Sequence, residues 1–304
     1  MTDKQKRQHL KTLGLAGMGL SLWSLNGCSS VSAVTTSASD AADAVLWQQA
    51  DAIIASIAPT QFAKRDFVIT EFGAKAAAEF DSSAAISAAI AACAAAGGGR
   101  VVVPAGRFNT GPVQLKSNVN LHLQKDALLS FYPEPQRYLP AVFTRWEGME
   151  LMGYSPLIYA YGQTNIAITG KGVLDGQANR TTWWPWKGGA WKGGTDWSVP
   201  GFPTQDAARD KLMADMENGV PVAERIYADG ANLRPPFIQP YACKNVLIEG
   251  VTIRNSPFWL VNPVLCSDVI VRGVNFVSHG PNSDGCDPES CNRVLIENCL
   301  FDTG

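Results

Sequence analysis

The chain has 304 residues, 46% of them hydrophobic and 17% charged, with 25 Lys and Arg against 27 Asp and Glu. That composition excludes a disordered chain, and the length is ample for a full core. A net charge of −2 excludes a strong nucleic-acid binder, which needs a basic surplus to match phosphates, and no apolar run reaches the ~18 residues of a membrane-spanning helix.

The first thirty residues read as an address. Lys4, Lys6, Arg7 and Lys11 give a positive start, and an apolar stretch follows from Leu13 to Leu25. That is the size of a signal-peptide core. It leads into Leu25-Asn26-Gly27-Cys28, which resembles a bacterial lipoprotein signal in which Cys28 becomes the lipidated N-terminus. Lys6-Arg7-Gln8-His9-Leu10-Lys11 resembles a weakened twin-arginine motif. The expectation is a signal peptide over 1–28 and export to the periplasm, to the outer membrane as a lipoprotein, or to the medium. The membrane would be touched only through a lipid on Cys28. Export permits disulfides. Six cysteines remain (Cys93, Cys243, Cys266, Cys286, Cys291 and Cys299), and their spacing does not choose among pairings. They are expected to be small buried residues with at most one bridge.

Residues 29–48 read as a Ser/Thr/Ala tether and the start of a first helix. Leu46, Ala50, Ile53, Ile54 and Ile57 fall at helical spacing, and Pro59 follows. Phe67-Val68-Ile69 reads as a short strand. A second helix is predicted over Ser82–Ala96, with the stripe Ile86, Ile90 and Cys93, ended by Gly97. Gly97-Gly98-Gly99 reads as a turn rather than a phosphate loop, because no Lys-Ser or Lys-Thr follows it. Val101-Val102-Val103 is then a strand, stopped by Pro104.

The rest of the chain repeats. Val246-Leu247-Ile248-Glu249-Gly250-Val251-Thr252-Ile253 aligns with the segments starting at Val269 and Val294, and weaker copies start at Val119 and Ile166. A repeat of about 24 residues made only of strands and turns buries its apolar side by stacking on the next copy. The predicted class is therefore all-β, a right-handed parallel β-helix over 49–304, capped at its N-terminal end by the helix Ser82–Ala96. The stretch from about 178 to 235 departs from the repeat. It holds five of the nine Trp (Trp183, Trp184, Trp186, Trp191 and Trp197) among paired glycines, and Asp206–Asn218 reads as a short helix. Trp among paired glycines is unusual for a core, and flat aromatic faces suit sugar rings, so Trp183 and Trp184 are candidate substrate contacts, with packing of the loop on itself an equally open reading.

The densest polar cluster is Asn282-Ser283-Asp284-Gly285-Cys286-Asp287-Pro288-Glu289. Cleaving a glycosidic bond needs paired carboxylates, one to protonate the leaving oxygen and one to activate water or attack carbon. On spacing alone, a solvated acidic turn is the better explanation.

Asn282-Ser283-Asp284 resembles the Asn-Thr-Asp motif of glycoside hydrolase family 28, the polygalacturonase family, with Ser in place of Thr. Asn255-Ser256-Pro257-Phe258-Trp259, Gly280-Pro281, Asp287-Pro288, Phe301-Asp302-Thr303-Gly304, Thr144-Arg145-Trp146-Glu147-Gly148 and Asp175-Gly176-Gln177 are similar to that family too. The resemblance implies hydrolysis of pectic galacturonan with inversion and no metal; no cofactor and a monomer are expected beside it, and the charge already argues against a nucleic-acid partner. It maps the catalytic Asp of Asn-Thr-Asp onto Asp284 and makes Asn282 and Asp287 candidate substrate contacts. In the family an adjacent Asp pair follows Asp-Thr-Gly and supplies the general acid, whereas this sequence ends at Gly304. The 304-residue form is therefore expected to be inactive, with Val294, Ile296 and Phe301 left uncovered and folding marginal. The alternatives are a pectate-lyase-like β-helix and a non-catalytic polysaccharide-binding one.

Overall fold

The computed structural model describes residues 38–190 and 192–304. The signal segment 1–28 with Cys28, the tether up to Ser37, and Trp191 lie outside the described residues. Residues 48–304 form one compact unit. Helix α1 is Ala38–Ser56.

The compact unit is a parallel β-helix. Its first sheet has seven parallel strands, in order Asp66–Val68, Gly99–Val103, Val119–Leu123, Thr164–Gly170, Lys244–Glu249, Ser267–Arg272 and Asn292–Glu297. Its second has six parallel strands, from Gly106–Thr110 through Ala127–Phe131, Val173–Asp175, Thr252–Arg254 and Asn275–Ser278 to Leu300–Thr303. A shorter third sheet stacks Val113–Gln114, Ile158–Tyr161 and Ile238–Tyr241. Bridges from Val261 to Cys286 and from Val264 to Glu289 extend that face.

The sequence repeat is the coil. Val246, Val269 and Val294 are register partners. So are Ile253, Phe276 and Phe301 on the second sheet. Parallel in-register stacking brings like residues over like, which is why the same inward positions are β-branched or aromatic in each copy. Ile248, Val271 and Phe276 are fully buried, whereas Ile296, Leu300 and Phe301 on the last described coil stay exposed.

One corner of the coil stacks Asn118, Asn165, Asn245, Asp268 and Arg293, all left-handed with φ between 55° and 63°. Asn tolerates this conformation because its side chain bonds locally, and Asn165 donates to the Asn118 side chain at 3.1 Å. Arg293 does not favour it and is held by a two-armed bond to Asp268 at 2.6 and 2.8 Å.

Helix α2, Ser83–Ala95, is one residue shorter at each end than expected and buries Ile86, Ile90 and Cys93 against the first coils. It covers apolar surface that a solenoid end would otherwise leave open. Helix α1 differs from expectation: of its predicted apolar face, Ile57 is buried just beyond its last turn, but Ile53 and Ile54 are exposed. The chain after it is tied down by polar bonds instead, the Ala58 and Gln61 amides donating to Asp268 and Asn165. All six cysteines predicted to be small and buried are free thiols. Cys93, Cys243 and Cys266 are buried, and Cys286, Cys291 and Cys299 half-buried.

Two excursions leave the coil. One is an antiparallel hairpin, Val142–Trp146 with Met149–Gly153, closed by Glu147 and Gly148 at positive φ. That is the turn geometry that matches strand twist. The other is the Trp-rich insertion, which contains helix α3, Asp206–Glu217, and adds Ile226–Tyr227 to the hairpin's edge.

Candidate active site

The acidic segment sits where the second sheet turns towards the third. The Leu260 and Val261 amides donate to the Asp284 and Gly285 carbonyls at 2.9 and 3.1 Å. The turn before them is organised by Ser283, fully buried, whose Oγ accepts from the Gly280 amide at 3.1 Å and shares a 2.9 Å bond with the Ser278 hydroxyl. Ser thus supplies the hydroxyl that Thr supplies in the resembling motif. The backbone of Asp284 is fixed while its carboxylate is exposed to solvent. Gly285 is required beside it, because a Cβ there would lie 2.3 Å from the Phe301 ring.

Asn282 takes a left-handed conformation (φ 54°), and its side chain faces inward. Its Oδ1 accepts from Nη2 of Arg234 at 2.8 Å. Arg234 is fully buried. Its guanidinium also donates to the Pro281 and Pro257 carbonyls at 2.6 and 3.0 Å and to Gln205 Oε1 at 3.3 Å, and it lies over the Phe258 ring. Oxygen acceptors rather than an ion-pair partner meet its charge, and burial pulls its pKa down to about 9. Sequence reading missed Arg234. The signal was Arg before Pro235-Pro236 in an otherwise apolar approach to a strand.

Asp287 is half-buried. Burial first, then repulsion by Asp284 and Glu289, pushes its pKa up to about 7. Its Oδ2 is buried without a hydrogen-bond partner. Glu289 is better matched, accepting from Asn262 at 2.9 Å with Arg145 at 3.8 Å. Arg145 comes from the hairpin and also meets Glu150 at 3.3 Å. His279 and Asp302, on successive coils, are exposed and 2.9 Å apart.

The two candidate tryptophans part company. Trp183 is 1% exposed and packs edge-on against Trp186 and Tyr138 at 5.0 and 5.6 Å. It is core, and it offers no face to a sugar. The insertion builds its own aromatic interior, so for Trp183 packing and not sugar contact is the outcome. Trp184 is half-buried, donates to the Ser256 carbonyl at 2.9 Å and abuts Gly280 so closely that a Cβ there would lie 2.2 Å from its Nε1. It therefore borders the acidic turn, as does Asn282, whereas Trp183 stands behind it. Among the described residues no group of three or more His, Cys, Asp or Glu is arranged to hold a metal ion.

Residues 225–304 match the family model of glycosyl hydrolases family 28. That span contains Arg234, Asn282, Asp284 and Asp287. A solved structure of a hyperthermoactive exopolygalacturonase from Thermotoga maritima is 46% identical, with a TM-score of 0.80, over 85% of this chain and 57% of that one. Over residues 225–304 the chain is thus similar to glycosyl hydrolases family 28. A probable polygalacturonase of Vitis vinifera is 26% identical over 67% of this chain and 35% of its own length. An exo-poly-alpha-D-galacturonosidase of Dickeya chrysanthemi is 28% identical over 78% of this chain and 40% of its own. The chain thus spans less than half the length of these two relatives. The stacked parallel sheets are the right-handed parallel β-helix of that family.

Proposed function

We propose that the complete protein hydrolyses glycosidic bonds of pectic galacturonan with inversion, and that Asp284 acts on the water. The observation that carries this is an exposed carboxylate on a backbone pinned by two ladder bonds and a buried serine. A rigidly presented base is what water activation needs. Asp284 would draw the proton from a water on the face of the sugar opposite the leaving group. Family resemblance assigns the acid to an adjacent Asp pair following Asp-Thr-Gly. Asp302-Thr303 lies on the coil next to Val277-Ser278, so that pair would arrive one coil along from Asp284. Asn282, Asp287 and Trp184 would line the sugar site.

The Trp-rich insertion closes one end of the groove in this reading, which makes the enzyme exo-acting. The 46% identical exopolygalacturonase supports it. Export with a lipid on Cys28 and a monomeric state complete the proposal. The test is digestion of polygalacturonate by the complete protein. Saturated reducing ends released as monomer or dimer are expected. An unsaturated, ultraviolet-absorbing product would replace hydrolysis by lyase chemistry, and a ladder of oligomers would overturn exo action.

A further inference from the structure

We infer that Arg234 is a positioning residue for Asp284, acting through the turn that carries it. This rests on the reading of Asp284 as the water-activating carboxylate.

Four features support it. The guanidinium holds the Pro281 carbonyl at 2.6 Å and the Asn282 side chain at 2.8 Å, both within three residues of Asp284 along the chain. Asn282 is in the left-handed region, where a side chain tied on one side limits the turn to a single conformation. The third arm reaches Gln205, whose own amide donates to the Trp186 carbonyl at 2.7 Å. Arg234 therefore clamps the aromatic insertion to the acidic turn. Finally, a fully buried arginine without a close carboxylate is an expensive placement, and cheaper apolar residues would fill the space if packing were all that was needed. Its planar fork bonds several oxygens at once, which Lys cannot imitate.

The test is a double-mutant cycle in the complete protein with polygalacturonate as substrate. Arg234→Lys keeps the charge and loses the fork. It is expected to lower kcat about tenfold with KM within about threefold, because small misplacement of a reacting group costs rate before binding. Arg234→Met is expected to lower kcat about 100-fold. Asn282→Ala cuts the same bond from its other end and should lower kcat as Arg234→Lys does, with a rise in KM besides because Asn282 also lines the proposed sugar site, so the outcome is readable in kcat even if Arg234→Met does not fold. Because Arg234 acts through Asp284, Arg234→Lys placed on Asp284→Asn should cost nothing further. Full additivity, or wild-type kcat in both Arg234→Lys and Asn282→Ala, would overturn the inference while leaving Asp284 in place. Wild-type turnover by Asp284→Asn alone would instead overturn the reading of Asp284, and this inference with it.

Discussion

Asp284 and Asp287 repel one another across the same turn, and that repulsion adds to burial in lifting the Asp287 pKa to about 7. One carboxylate faces water. The other is drawn in, with an oxygen that has no partner. Burial and the neighbouring negative charge together favour the neutral form of Asp287.

Stability should therefore depend on pH with a definite sign. Asp287 binds its proton more tightly folded than unfolded, so its contribution to stability is complete below the unfolded pKa of about 4 and is lost as pH rises towards 7. Thermal melts of this chain should show that decline. In Asp287→Asn the decline between those pH values should be weaker, so the variant gains relative to wild type as pH rises. Parallel melting curves at every pH would refute the protonated Asp287.

The coil corners give a stability prediction. Gly170 has φ 121°, and a Cβ there would lie 1.9 Å from the Leu123 carbonyl oxygen. Backbone cannot step aside as a side chain can, so Gly170→Ala should cost about 2–4 kcal/mol in denaturant unfolding. A cost below about 0.5 kcal/mol, the range of an inconsequential surface change, would show that the two coils are not stacked as described.

The tryptophans separate packing from recognition. Trp183→Ala should destabilise the chain by about 3–5 kcal/mol, the usual cost of emptying a buried aromatic site. Trp184→Ala should melt closer to wild type yet bind trigalacturonate several-fold more weakly by calorimetry. Equal binding by wild type and Trp184→Ala would remove Trp184 from the sugar site.

Stacking explains what was legible in advance. Val246, Val269 and Val294 must occupy the same inward position of successive coils, so the period shows in the letters themselves. The Asn-Ser-Asp turn was legible only through its resemblance to a family motif, because three acids on a turn read the same whether they are solvated or built into a site. The hairpin Val142–Gly153, the burial of Trp183 and the clamp by Arg234 were not. The last two depend on partners dozens of residues away, Tyr138 for Trp183 and Asn282 for Arg234. A tryptophan among glycines reads the same whether it faces solvent or a second aromatic layer. Likewise, exposed Leu46, Ile53 and Ile54 fall on a helical pattern as buried Ile86 and Ile90 do.

The most direct measurement is the initial rate of reducing-end release from polygalacturonate by the complete protein and its Asp284→Asn form. The carboxamide keeps the shape of the turn but cannot take a proton from water, so kcat should fall about 10²–10⁴-fold while KM holds. Turnover within about twofold of wild type, far short of a general-base loss, would contradict Asp284 as the residue that activates water.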